Sequence, residues 1–503
     1  MKNIYFKNEI IKKVLEKYKV IWSLHYLNGL AGWDARIYMP KKGIIARGKA
    51  HAQASKLIQQ FFLDKEFVYL INKASEEKNL NVYEKGVLRI LRKDLDQYQK
   101  IPIKFTEKWA EITNKGQSIW ENAKNNDDFK FFAPILGKII KMCQEKSEII
   151  GYKSHPYDVH IDDFEHGMTT HDVDMYFDSI KGSLIKILAY INKSKKYIPK
   201  HILSSEIYSK HEMNNLNNSV LDYLGADRDR FRMDISSHPF TQGFGPNDVR
   251  ITTWYHDKDF ASSLTATIHE FGHSLYELES IADFEFTPLS GGNSLSIHES
   301  LSRFWENIVA RSYGFAKFIH KDLIKLGENY KKYSTSDIYK YLNIVSPGLI
   351  RVDADEITYH FHILIRFELE KDLIKGKLKV KDLPDAWNAL YKKYLGIKPL
   401  NYKDGVLQDI HWSAGLIGYF PTYSIGTVLS SIWMDLIEKD IGSINKLVES
   451  KSGINKLRNW LQNNIHKYGS SYDFKDMVKK VSKNSFNTTS WKKYLKKKYS
   501  TIY

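Results

Sequence analysis

A mainly α-helical fold with one small β-sheet follows from three features of the sequence. Apolar residues recur at helical spacing along most of its 503 residues. Strand-like runs are confined to one stretch, Phe231 to His256. Only 12 Pro occur, too few for long disordered or Pro-rich linkers. From the N-terminus, amphipathic or buried helices are expected over 3–30, 43–75, 82–98, 104–124, 130–150, 171–193 and 203–224. The strand region follows. Arg232 to Ile235 and Val249 to Tyr255 read as strands around a Gly/Pro/Asn turn at Gly243 to Asn247, and a small sheet there offers an edge for an extended peptide. Helices resume over 262–280, 296–312, 335–345, 353–374 and 427–467. With no repeat or linker, residues 1–503 read as one domain whose helical halves could flank a cleft.

Bulk composition narrows the function classes. Hydrophobic residues at 43% and charged residues at 27% describe a soluble globular chain. The net charge of +16 raises nucleic acid as a partner, but the lysines are spread along the chain. No zinc-finger, RNP or helix-turn-helix signature accompanies them, so no nucleic-acid partner is expected. Trp491 to Tyr499 is the one strongly basic run. Trp412 to Met434 lacks any charge, yet Gly415, Gly418, Pro421 and Gly426 interrupt it, which suits a buried segment rather than a membrane span. The N-terminal residues interleave charge with apolar side chains and contain no secretory h-region. A single cysteine, Cys143, excludes an internal disulfide framework, and its expected role is that of a small buried residue. A reducing, cytoplasmic location is therefore expected.

The most informative residues are His269-Glu270-Phe271-Gly272-His273. A random chain with 18 His in 503 residues contains HExxH only about 0.03 times. Leu264, Ile268, Phe271, Leu275 and Leu278 have helical spacing around it, with Ser262 or Ser263 available as N-cap. Two His four apart on a helix lie ~40° apart around the axis and ~6 Å along it, so both imidazoles can reach one metal ion. Glu270 then lies beside the metal as a base for water. Gly272 costs ~1 kcal/mol against Ala in a helix interior, which points to close packing or substrate approach at that turn.

Two His leave a third ligand to find, and two His with one carboxylate is a known open zinc set. Glu299 on the next predicted helix is the first candidate, and Glu306, two turns further on, is the second. Ser296 and Glu299 also have capping-box spacing, a purely local role for the same carboxylate. Each ligand His needs an acceptor for its other ring N–H; Arg303 cannot supply one, and Asp353 and Asp355 are the candidates.

Several further blocks, in order along the chain, resemble one family. They are Trp33-Asp34 with Met39-Pro40, Tyr157-Asp158 with Asp163 to Thr169, His238-Pro239-Phe240, and Asp248 to Thr252. After HEFGH come His298-Glu299-Ser300, Ile350 to Asp355, and Gly405 to Trp412. Together they resemble the carboxypeptidase Taq family of metallocarboxypeptidases nearly from end to end. The resemblance implies a helical, saddle-like metallopeptidase fold with a deep central groove, a homodimer, and removal of residues from peptide C-termini with broad specificity. It also implies His269, His273 and Glu299 as ligands of one divalent ion. Zn2+ suits that set, and Co2+ or Mn2+ are also compatible.

An exopeptidase needs a cation for the terminal carboxylate, and a guanidinium binds it bidentately. Arg351 is the first choice and Arg250 the second, although a structural ion pair with Asp353, Asp355 or Asp248 would explain either Arg equally well. His411, Tyr423 and His298 are candidate donors to the oxyanion. His238 is expected at the groove floor as a substrate contact; Trp412 and Phe240 could touch peptide side chains or simply pack in the core. Two rivals stand beside this reading. Endo-acting thimet-type oligopeptidases also carry HEFGH, and a noncatalytic binder could retain the fold.

Overall fold

Helices hold 69% of the chain and strands 3%. The structure, a computed structural model, describes residues 4–197, 200–236, 238–256, 259–292, 294–326 and 328–503. Local chemistry sets the helix ends. The expected helix over 43–75 breaks into Ile44–Phe62 and Lys65–Ser75, because Asp64 accepts a hydrogen bond from the Phe67 N–H and starts a new helix. The run read as 427–467 is likewise Phe420–Ile441, Ile444–Leu447 and Lys451–Asn464. Its first helix starts earlier than expected because Pro421 sits in the first turn, where no N–H is needed. Helices Asp158–Phe164, Tyr313–Leu326, Leu383–Leu395, Phe474–Ser482 and Thr489–Ile502 were not anticipated. Nor does the helix expected from 353 begin there: Asp355 accepts from the Ile357 and Thr358 N–H groups, and the helix proper is Tyr359–Ile374.

The sheet has three strands rather than two: β1 (Phe231–Ile235), β2 (Thr241–Gly243) and β3 (Val249–Thr253), in the order β1-β3-β2. β1 runs parallel to β3 and β2 antiparallel to it. β3 is buried against the HEFGH helix, Phe260–Leu278, where Thr253 and Thr267 share a hydrogen bond of 2.8 Å. The N-cap of that helix is Asp259, which accepts from the Ser262 N–H; neither Ser262 nor Ser263 caps it.

The HEFGH helix is buried on nearly every side, its apolar residues Leu264, Ile268, Phe271 and Leu275 alternating with small hydroxyl residues that are buried too. Two glycines let its neighbours close in. A Cβ on Gly272 would lie 2.7 Å from Ser302 Cα and 3.0 Å from the Leu301 carbonyl, on the helix Leu295–Arg303. A Cβ on Gly426, in Phe420–Ile441, would lie 2.6 Å from Glu299 Cβ on the opposite side of the same helix. The short Glu299 helix is thus clamped between two backbones that approach only because both lack a side chain. Beyond Arg303 it widens into a π-helical turn, Phe304–Val309, which re-aims Glu306.

The apolar core falls in two parts. One gathers the N-terminal helices around Ile11, Val14, Ile71, Val87 and Leu91, and the other, larger part surrounds the HEFGH helix. Among the described residues no helix is long and apolar enough to cross a membrane; the uncharged run after Trp412 is buried in the larger core.

Candidate metal centre and active site

His269 and His273 extend from one face of the HEFGH helix toward Glu299. Glu299 Oε2 lies 3.6 Å from His269 Nε2 and 3.3 Å from His273 Nε2. Bonds of about 2.0–2.1 Å in a tetrahedron put ligand atoms about 3.3 Å apart, so both Glu299–His separations are compatible with one divalent ion. It is the only group of three or more potential ligands among the described residues. The capping-box alternative fails: the N-cap of the Glu299 helix is Ser294, which accepts from the Ile297 N–H. Burial disfavours charge on Glu299, but Arg303 and the two imidazoles outweigh it and bring its pKa to about 2.

Hydrogen bonds behind the cradle orient both rings. His269 Nδ1 donates to Glu306 Oε2 at 2.8 Å, which leaves Nε2 with its lone pair toward the metal position. His273 Nδ1 is 2.7 Å from His298 Nδ1, and His298 Nε2 is 3.1 Å from Glu277 Oε1. With His273 Nε2 as a ligand, its Nδ1–H donates to His298, whose Nε2–H then donates to Glu277. Arg303 ties the carboxylates together, donating to Glu299 Oε1 at 2.7 Å and to Glu306 Oε2 at 2.9 Å.

Three expectations are corrected here. Asp353 is exposed, and the Asp355 carboxylate is taken up by Ser346, Ile357 and Thr358, so neither accepts from a ligand His. Glu306 is an acceptor for His269 rather than a ligand. His298, expected to touch substrate or the oxyanion, has both ring nitrogens engaged behind His273 and cannot do so.

Glu270 is buried on the cradle side of its helix. The Thr241 hydroxyl, on β2, lies 2.6 Å from its Oε2 and 2.9 Å from its backbone carbonyl, and its single O–H is shared between these two acceptors. Burial raises the carboxyl above the ordinary value, toward the range where a general base works best. Thr241 was not anticipated; it lies on a three-residue strand that shows no alternating pattern.

A second cluster forms where the Gln408-Asp409 block meets Arg351. Arg351 is buried, with Nε donating to Asp409 Oδ1 at 2.9 Å and its backbone N–H to Gln408 Oε1 at 2.9 Å. Its partner is Asp409, not Asp353 or Asp355. Its guanidinium lies 5.3 Å from the centre of the Tyr423 ring. The Tyr423 hydroxyl is 3.3 Å from His411 Nε2. Burial, then the Arg351 charge, lowers His411 to about 3, so it is a neutral imidazole in ordinary buffers. Burial, with Tyr419 beside it, raises Tyr423 well above a normal phenol, which keeps its O–H as a donor.

Arg250 sits apart from these groups. It forms a two-pronged pair with Asp248 at 2.8 and 2.7 Å and lines a cavity of about 490 Å3 with Trp33, Asp34, Tyr38 and Arg47. Its carboxylate-binding edge is therefore already filled. His238 is exposed, and its carbonyl accepts from Ser236 and Thr252. Partial burial of the ring, then the charges of Lys124 and Arg351, lowers its pKa below the ordinary value. Trp412 is a core residue, donating to Glu370 at 2.7 Å, and Phe240 packs on Trp33.

Known proteins share this arrangement's sequence and fold. The family model for carboxypeptidase Taq (M32) metallopeptidases matches residues 13–499. Thermostable carboxypeptidase 1 of Pyrococcus furiosus is 41% identical over 495 residues, 98% of this chain and 99% of its own. Carboxypeptidase 1 of Bacillus subtilis is 32% identical over 483 residues, 95% of this chain and 96% of its own. The solved apo-Mg structure of the P. furiosus carboxypeptidase has a TM-score of 0.95 at 41% identity, with 98% of this chain and 100% of that one covered.

Proposed function

The chain belongs to the carboxypeptidase Taq (M32) family and is a metallocarboxypeptidase, and from that premise we propose how its residues divide the work. His269, His273 and Glu299 hold one divalent ion, for which the two-imidazole, one-carboxylate set favours Zn2+. Such an ion supplies Lewis-acid chemistry, acidifying water and polarising a carbonyl. Glu270 takes a proton from the attacking water and delivers it to the leaving amine nitrogen. Thr241 holds the Glu270 carboxylate in place between the two transfers. Arg351 receives the C-terminal carboxylate of the peptide, and His238 borders that position. His411 and Tyr423 donate hydrogen bonds toward the oxygen on which negative charge develops. Arg250, spoken for by Asp248, shapes the neighbouring cavity instead.

The observation that carries this reading is the convergence of three ligand atoms within 4.8 Å, with Glu270 next to His269 on the same helix. An endo-acting oligopeptidase is not favoured, because the relatives matched end to end are carboxypeptidases. Comparing a peptide with its C-terminally amidated form tests the Arg351 assignment. A charge-assisted hydrogen bond of about 1.5–3 kcal/mol predicts that amidation slows cleavage about 10- to 100-fold; equal rates would overturn it. Elemental analysis with chelation and re-addition tests the metal. A homodimer, tested by light scattering, and a cytoplasmic location suited to the lone buried thiol of Cys143 complete the proposal.

A further inference from the structure

Asp409 is shared by two guanidiniums. Its Oδ1 accepts from Arg351 Nε at 2.9 Å, and its Oδ2 accepts from Arg366 Nε at 2.7 Å. Arg366 is completely buried, on the helix Tyr359–Ile374, and donates also to the His362 carbonyl and to Gln408 Oε1, at 2.8 Å each. Gln408 Oε1 accepts from the Arg351 backbone as well, so one amide and one carboxylate lock the two arginines together. Both guanidiniums lie within 6 Å of the centre of the Phe420 ring, at 5.7 and 5.4 Å.

Two buried cations on one carboxylate leave one positive charge uncompensated. Burying a charge without a partner is costly, and a simple structural pair would need only one arginine. Two further charged groups act on the pair. Lys124, on the Gln408 carbonyl at 2.9 Å, is positive and reaches solvent, where it is screened. The buried Glu370 acts on Arg366 through space, while its oxygens accept from Tyr157, Trp412 and Gly418 rather than from either arginine. An arrangement that keeps surplus positive charge buried suits a site whose counter-ion arrives with the substrate.

We propose that Arg366 is a positioning residue for substrate recognition: by engaging Asp409 it keeps Arg351 from being neutralised, so the cluster retains one net positive charge for a C-terminal carboxylate. This rests on Arg351 as the carboxylate anchor. Without Arg366, Asp409 becomes a private partner of Arg351 and repels the incoming anion.

The test uses the metal-loaded enzyme with a free-acid peptide and its amide. A charge removed about 8 Å from the bound carboxylate at an effective dielectric of about 20 corresponds to about a 30-fold effect. Arg366→Met should raise KM for the free acid by that order while kcat and cleavage of the amide change little. Arg366→Lys keeps the charge and should stay close to wild type. Adding Asp409→Asn to Arg366→Met restores the net charge and should bring KM back, whereas mere structural damage would make the double variant worse. Asp409→Asn alone should lower KM, which keeps the idea testable if Arg366→Met fails to fold. An unchanged KM in Arg366→Met, an equal loss on the amide, or a higher KM in Asp409→Asn overturns the proposal. If Arg351→Gln leaves the preference for the free acid intact, the anchor assignment itself is wrong; if it abolishes the preference while Arg366→Met does not, only the role of Arg366 falls.

Discussion

Replacing Gly426 with Ala sets two known effects against each other. Gly426 lies inside the helix Phe420–Ile441, so Ala would gain about 1 kcal/mol of helix propensity if the space were open. The space is filled: the new Cβ would be 2.6 Å from Glu299 Cβ, 2.8 Å from Glu299 Cγ and 2.9 Å from the Ser296 carbonyl. Normal carbon contact requires about 3.5–4.0 Å, so the Glu299 helix must retreat by about 1 Å. It cannot do so freely, because Gly272 holds its other side at a similar distance. Overpacking of this kind costs about 1–3 kcal/mol and exceeds the propensity gain. The displaced carboxylate should also lose metal affinity, by about 10- to 100-fold, the usual effect of disturbing the support of a ligand. Urea denaturation of the chelated protein measures the first effect and competition with a chromophoric chelator the second. Gly182→Ala is the control: it also lies inside a helix, Thr170–Lys193, with nothing within 4 Å of its added Cβ, and it should be neutral or stabilising by up to about 1 kcal/mol. If Gly426→Ala behaves like Gly182→Ala, the clamp does not position Glu299.

Three other substitutions probe separate links. Glu270→Gln should lower kcat by about 100- to 10,000-fold with metal content unchanged by elemental analysis; retained turnover would remove Glu270 as the base. Glu306→Gln should weaken metal binding about 10- to 100-fold, read by chelator competition, because His269 loses the charged acceptor that fixes its tautomer; wild-type affinity would assign Glu306 a structural role alone. For His360, buried with Nδ1 2.6 Å from the Ser424 hydroxyl, burial and then the charge of Arg303 lower the pKa to about 3. Between there and the ordinary value near 6.5 the unfolded chain binds a proton that the folded chain refuses. The stability tied to this group is therefore full above pH ~6.5 and is lost as pH falls toward 3, by on the order of 5 kcal/mol. His360→Gln should flatten that part of the dependence of urea midpoint on pH; parallel curves would refute the assignment.

What could be read in the sequence was whatever depends on short range. The HEFGH pair is set by one helical turn, and Gly272 inside it announced the close packing that the Ser302 backbone confirms. Glu299, by contrast, was ambiguous from spacing alone. Glu306 shares its face only after a π-helical turn that no apolar periodicity encodes, and the rival capping role was settled by Ser294, two residues before the position that spacing suggested. Asp353 and Asp355 were misjudged for a related reason: a carboxylate near a helix start is as easily consumed by its own backbone, as Asp355 is by Ile357 and Thr358, as by a distant histidine. β2 escaped notice because three residues between Phe240 and Phe244 carry no alternation, although one of them, Thr241, holds the Glu270 carboxylate.

The least legible feature was the charge balance around Arg351. Arg351, Arg366 and Asp409 belong to three separate segments, and each alone reads as half of an ordinary ion pair. Their meaning lies in stoichiometry, which only packing reveals: Asp248 gives both oxygens to Arg250, whereas Asp409 divides its oxygens between two arginines and gives Arg351 only one. The same residue types at similar distances therefore produce opposite outcomes. The proposed assignment of Arg351 rather than Arg250 to the peptide carboxylate rests on this difference, because counting partners per carboxylate separates the two where sequence context could only rank them.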